Sequence, residues 1–333
     1  GSQRALIWHY ADARGVVTLR QPGAVPAVAF DRSGERVVTA GDDERLRAWH
    51  ARDGRLLWST EPLGNPLRRL DVDPAADRCA VALHDGRIAL HVLTDGAVLA
   101  SFQGHQGRVT ALRFAAAGQL LLTAGHDRRA VVWQVDGRTP LRVVERPQPI
   151  AAADVSPDGT LLATAEVGEA VVRLWRVADG GPAGELPAHA KAVRCLRFAP
   201  DGQRLASGSA DGNAWSQHLD GSQRVVFPLG SPCTQVVWSP DGQTLATCAL
   251  HDRNRVRLWR AADGTELLQF AGHDNTVDGI AASPDGTWFV SAARDGATCL
   301  WPTDPVQVAA RLLSRNPAAA PSATNPSKPT TTR

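Results

Sequence analysis

Short runs in which apolar and polar residues alternate recur along most of the chain. Val109-Thr110-Ala111-Leu112-Arg113-Phe114 and Glu266-Leu267-Leu268-Gln269-Phe270 are two of them. A period of two puts successive side chains on opposite faces of a strand. The runs are separated by turns with defined chemistry. One set reads Ser156-Pro157-Asp158-Gly159, Ala199-Pro200-Asp201-Gly202, Ser239-Pro240-Asp241-Gly242 and Ser283-Pro284-Asp285-Gly286. Proline presets φ early in such a turn and glycine supplies the positive φ at its end. A second set is Asp-Gly, at 53-54, 95-96, 136-137, 179-180, 220-221 and 263-264. Asp-Gly between alternating runs is a strong hairpin signal. The pattern predicts short antiparallel strands without a helical period between them.

Tryptophans that end these runs are evenly spaced. Trp49, Trp133, Trp175, Trp259 and Trp301 lie on a ladder of step 42, with His91 and Gln217 on the two remaining rungs. Four strands per repeat of this length predict propeller blades, and seven rungs predict seven of them. The last unit supplies only three strands, which would leave an exposed edge and an open ring. Gly15-Val16-Val17-Thr18-Leu19 has the character of the missing outer strand. The expected fold is therefore all-β: a seven-bladed β-propeller of four-stranded antiparallel blades, its ring closed by an N-terminal strand. Ala5-Leu6-Ile7-Trp8 competes for a slot that Thr298-Cys299-Leu300-Trp301 already fills. Displacement of Trp8 is preferred to a parent with further blades upstream. The expected division is a propeller over 1–303, a short helix over 304–316 opened by Asp304-Pro305, and a disordered Pro/Ala/Ser/Thr tail over 317–333.

The ladder, together with Gly104-His105, Gly272-His273 and the near match Ala188-His189, resembles the WD-repeat family over roughly residues 5 to 302. The Asp that follows Trp in that family is replaced by His50, Gln134, Arg176, Arg260 and Pro302. His105, Thr123, Asp127 and Trp133 could pass for a catalytic His–hydroxyl–Asp set. The same spacing returns in His273, Ser291, Asp295 and Trp301, and partly in His189, Ser207 and Asp211. A catalytic constellation occurs once, whereas a structural device recurs per blade. The resemblance implies a buried hydrogen-bonded tetrad that stiffens each blade carrying it. Blade one has Thr39, Asp43 and Trp49 without the His. Blade two has Val81 and His91 at the hydroxyl and Trp positions. Blades four and six keep Thr164 and Thr247 before an irregular loop. These blades are expected to be looser, with simple drift as the bland alternative.

The resemblance also implies partner binding where loops enter the innermost strands. With the repeat as a ruler, Arg68, Arg108, Thr110, Arg194, Thr234, Thr276 and Asp278 point to that face. So do Asp42, His84, His126, Ala210 and Arg294, one step before the tetrad Asp position. Arg68, His84, Arg108 and His126 would form a basic patch on blades two and three. Such a patch suits an acidic or phosphorylated protein segment, because arginine forks match carboxylate and phosphate.

Composition narrows the classes. Lys+Arg of 36 against Asp+Glu of 34 gives a net charge of +2. With no aromatic interleaving of the basic positions, nucleic-acid binding is disfavoured. No run approaches the roughly 18 apolar residues of a membrane helix. Gly1-Ser2-Gln3-Arg4 has the character of a cloning scar on a piece of a longer parent. Five irregularly spaced cysteines point to a reducing, cytoplasmic setting. Two lysines, Lys191 and Lys328, and no methionine hint at a high-GC bacterial genome. The ten histidines are scattered without metal-ligand spacing, Gly41-Asp42-Asp43-Glu44 reads as a solvated turn, and phosphate-loop and Gly-x-Ser-x-Gly motifs are missing. No metal or cofactor is expected. The expectation is a monomeric, non-catalytic scaffold or sensor, part of a larger bacterial signalling or regulatory protein. Its rival, a propeller hydrolase or lyase at the channel mouth, needs one asymmetric cluster of acids, His or ligands, and none stands above the repeat.

Overall fold

The computed structural model describes residues 9–10, 17–135, 139–187 and 189–303. Its strands form seven sheets, each built on four antiparallel strands; in blades one to six these run in chain order from the inside outwards, and blade six carries a short fifth strand on its outer edge. Blade one is Ala27–Phe30, Arg36–Ala40, Leu46–His50 and Leu56–Ser59. The innermost strands of blades two to seven are Leu67–Val72, Val109–Ala115, Ile150–Val155, Val193–Phe198, Cys233–Trp238 and Val277–Ala282. Each of the seven touches the next, and the last touches the first, around a central channel. The predicted turns close the hairpins. Ser156 donates to Asp158 at 2.5 Å and in turn accepts from the Leu161 N–H at 2.9 Å. Gly159 ends that turn at φ 76°, where a Cβ would be strained.

The ring closes as the alternation predicts. Val17–Arg20 runs antiparallel to the third strand of blade seven, with Val17 opposite Leu300 and Arg20 opposite Ala297. Upstream, His9–Tyr10 runs parallel to the outer strand of blade six, opposite Gln269 and Phe270. Trp8, the expected helix over 304–316 and the tail over 317–333 lie outside the described residues.

The core is not central but layered between blades. Ile88 and Leu90 of blade two pack in one cluster with Leu112, Leu121 and Trp133 of blade three. Leu19 of the closing strand joins Val28, Phe30 and Trp49 of blade one and Val290 and Leu300 of blade seven. All five cysteines are buried free thiols. Cys195 and Cys233, on adjacent innermost strands, approach to 3.8 Å.

Because Leu19 is 2% exposed and belongs to the layer that joins the two ends of the chain, Leu19→Ala is expected to lower the unfolding free energy by about 2–5 kcal/mol. Denaturant titration checks this, and an unchanged midpoint would mean the clasp contributes little.

Candidate functional site

The predicted tetrads form as closed networks. In blade three Trp133 Nε1 donates to Thr123 Oγ1 at 2.8 Å, which lies 2.8 Å from His105 Nε2. His105 Nδ1 meets Asp127 at 2.9 Å. Blade seven repeats this through Trp301, Ser291, His273 and Asp295. In blade five Ser207 and Asp211 hold His189, while Gln217 stands where the indole would be. There Trp215, two residues earlier, stacks on His189 at 3.7 Å, and the Arg224 guanidinium lies over the indole at 4.2 Å. Thr123 and Ser291 are wholly buried, and each oxygen already accepts an indole N–H. Neither hydroxyl can reach a substrate as a nucleophile.

The His position is four residues before the first buried residue that leads into each innermost strand, Val25 in blade one, and the structure shows what replaces it elsewhere. In blade one Gln21 accepts from Thr39 Oγ1 at 2.7 Å, and Thr39 accepts from Trp49 at 2.9 Å. In blade four Arg146 covers the Trp175 ring at 4.6 Å and donates to buried Glu166 at 2.8 Å, while Trp175 donates to Thr164. Blades two and six have Leu63 and Leu229 at this position. Blade six still keeps its indole-to-Thr247 bond at 2.8 Å. In blade two His91 is buried and uses Nδ1 on the Gly96 carbonyl. Blades one and four are thus re-tied rather than simply loosened. Gln21 and Arg146 were findable by counting four residues, without requiring a Gly-His pair.

Burial pushes the pKa of His105 and of His189 below the usual 6.5, outweighing Asp127 and Asp211. Burial also opposes protonation of His273, but the hydrogen bond it donates to Asp295 and the adjacent Cys299 prevail, and its pKa is raised to about 9.

Of the residues assigned to the partner face, all but Thr276 and Ala210 line one cavity. Asp42, Arg68, His84, Arg108, Thr110, His126, Arg194, Asp278 and Arg294 all line a mouth of about 630 Å³ at the entry ends of the innermost strands. A β-bulge explains the placement. In blades two to seven the innermost strand skips register after its first pair, at Arg68, Thr110, Ala151, Arg194, Thr234 and Asp278. A bulge re-aims the extra side chain, here into the mouth. Blade one has Pro26 at this step and no bulge in its pairing.

The mouth is less simply basic than the sequence suggests. Arg68 donates to Asp42 of blade one at 2.5 Å and to His84 at 3.4 Å. Arg294 makes a two-pronged contact with Asp278, at 2.7 and 3.3 Å. Partial burial and the Arg108 charge push the His126 pKa down, so it is largely neutral at neutral pH. Thr110 is buried, its hydroxyl donating to the Ile150 carbonyl of blade four at 2.9 Å. Exposed Arg108 and Arg194 carry charge without an ion-pair partner among the described residues. Val167, 47% exposed, and Leu250 add apolar wall that the ruler did not single out.

At the far end of the channel, charges alternate around four blades. Arg113 donates to Asp71 at 2.7 Å and lies 3.6 Å from Asp154, which is 3.6 Å from Arg197. Asp71 accepts the Phe114 N–H and Asp154 the Phe198 N–H, each from the next blade. Burial pushes Asp154 up to about 7 despite Arg113. Among the described residues no group of three or more His, Cys, Asp or Glu is placed to share a cation, and no helix is long and apolar enough to cross a membrane.

The family profile described as "WD domain, G-beta repeat" matches residues 15–50, 96–134, 180–215, 223–260 and 264–302. The stretches between those matches hold most of blades two and four. Telomerase protein component 1 of Mus musculus is 27% identical over 318 residues, 89% of this chain. The chain spans 12% of that relative's length, and 11% of the Rattus norvegicus counterpart. Cell division cycle 20.1, cofactor of APC complex, of Arabidopsis thaliana is 26% identical, covering 82% of the chain and 62% of the relative. Target of rapamycin complex subunit wat1 of Schizosaccharomyces pombe is 26% identical, covering 70% and 76%.

Thr123→Val leaves the Trp133 indole and His105 Nε2 unpartnered. It is expected to cost about 1–3 kcal/mol per orphaned group in a denaturant titration; an unchanged midpoint would deny the tetrad a stabilising role. In NMR of isotope-labelled histidine, His273 should hold its proton at neutral pH and release it near about 9, while His105 and His189 stay neutral. By linkage, the His273 contribution to stability is full below pH 6.5 and lost as pH rises through about 9. His105 and His189 act in the opposite sense, because below pH 6.5 the unfolded chain takes up protons that the folded one refuses.

Proposed function

The chain belongs to the WD-domain, G-beta-repeat family, and from that premise we propose that it is a non-catalytic platform that docks a protein segment on the entry mouth of its channel. The convergence of nine residues from blades one, two, three, five and seven on that one cavity carries the reading. The relatives support a role in assemblies, since their names describe a protein component, a complex cofactor and a complex subunit. An acidic or phosphorylated segment fits best. Arg108 and Arg194 are exposed and unpaired, and Val167 and Leu250 offer apolar contact between them and the far rim. Arg68 is a weaker candidate for a direct contact, because Asp42 already takes its charge.

The proposed setting is a monomeric propeller in the cytoplasm, where five free buried thiols stay reduced. Placement in a bacterial signalling or regulatory protein rests on the arginine-rich, methionine-free composition alone; the relatives named above come from mouse, rat, Arabidopsis and fission yeast.

Fluorescence anisotropy with a panel of acidic and phosphorylated peptides tests the docking face. The best binder is expected to lose about tenfold or more in affinity when Arg108→Glu and Arg194→Glu are combined. Equal binding by the wild type and the double variant would remove the mouth from consideration.

A further inference from the structure

Below the rim the mouth narrows onto a second cavity, of about 370 Å³, and Arg69 and Arg194 line both. Arg69 is fixed in direction. Its Nε donates to the Thr110 carbonyl at 2.7 Å and its Nη1 to the Arg68 carbonyl at 2.9 Å. A guanidinium has five N–H donors, so most of the fork remains to face the channel. At the same level of the other innermost strands stand Ala27, Ala111, Ala152, Cys195, Gln235 and Gly279, five of them small, while Gln235 is turned to the Asp278 carbonyl at 3.1 Å.

The charge of this collar is not answered by any ion pair of its own. Asp42 and Asp278, the carboxylates of the mouth, are held by Arg68 and Arg294. Among the described residues no carboxylate forms an ion pair with Arg69, Arg108 or Arg194. Three guanidiniums on blades two, three and five therefore line one volume with no carboxylate paired to them, the attraction of Asp278 for Arg69 being shared with Arg294. Desolvation first, and then repulsion from Arg108, push Arg69 down to about 10 against the pull of Asp278. Charge held against that opposition is what an anionic ligand would relieve.

We propose that this collar binds a small molecule carrying two or more phosphate groups, with Arg69 as the deep anchor and Arg194 and Arg108 closing on it from above. Guanidinium forks grip phosphate oxygens in pairs. A single carboxylate would leave two of the three cations unanswered, whereas linked phosphates can reach all three. The site shares its mouth with the docking reading but does not rest on it, because Arg69 lies below the rim.

Isothermal titration calorimetry of the purified full chain at low ionic strength, with inorganic pyrophosphate as probe, tests the site. Pyrophosphate should bind saturably with one site per chain, and inorganic phosphate about tenfold or more weaker. Arg69→Met should lower pyrophosphate affinity by about tenfold or more, and Arg69→Lys, which keeps the charge without the fork, should lie between. Since Arg69→Met also abandons two carbonyls and could unfold the blade, Arg194→Met, at an exposed position, is the second variant and should weaken binding likewise. Absence of saturable binding in the wild type, or binding unmoved by Arg194→Met and by whichever Arg69 variants fold, would overturn the proposal. Pyrophosphate binding lost only with Arg108→Glu would place the anion on the rim and overturn the collar. Failure of pyrophosphate to bind while acidic peptides still do would sink this site alone, and the reverse would sink the docking reading alone.

Discussion

Four residues, Val17–Arg20, hold the ring shut against Ala297–Leu300, and everything else in the molecule presupposes that pairing. The apolar layers lie between blades, so a blade buries both faces only when it has a neighbour on each side. Within a blade the hairpins join segments close in sequence. Closure instead joins the two ends of the described ring, at the entropic cost of one very large loop. That cost is met by inserting Leu19 into the layer shared by the first and last blades. Without it, two apolar faces and an unpaired edge would open to water.

Given closure, individual blades can vary in how they are tied. The position four residues before the start of each innermost strand, counted from Val25 in blade one, holds His in blades three, five and seven, Gln in blade one, Arg in blade four and Leu in blades two and six. What survives most widely is the indole-to-hydroxyl bond, present in blades one, three, four, six and seven. Glutamine can occupy the imidazole slot because it too offers an acceptor to the hydroxyl. Arginine does so differently, by stacking on Trp175 and meeting buried Glu166.

Much of this was readable in the chain because the information is local. Period-two alternation, Ser-Pro-Asp-Gly and Asp-Gly turns, and a step of 42 fix strand number, order and blade count without reference to anything distant. The mouth residues were readable too, since one blade serves as a ruler for the next. What the ruler could not give is pairing between blades. Arg68 looked like free positive charge until the bulge brought it to Asp42 of blade one. Arg69 was passed over for a related reason. In an alternating strand it reads as an ordinary solvent-facing residue, and only the closed ring turns that solvent into a narrow channel.

The arginines around the channel show why residue type alone cannot assign a role. Arg113 and Arg197 stand beside Asp71 and Asp154, and those two carboxylates also accept an N–H from the following blade. That ladder sets two carboxyl groups against two guanidiniums and stitches four blades together, so its polar character serves the fold. Nearer the mouth, Arg194 occupies the bulge and Arg69 the adjacent step, where the one carboxylate at the bulge level, Asp278, is already held by Arg294. An unpaired charge in a confined space raises the free energy of the folded state unless something outside the chain completes it. The same side chain is thus structural where a neighbouring blade supplies an acid and available where it does not. In a repeat fold that makes the blade-to-blade difference in carboxylate positions the feature that separates scaffold from site.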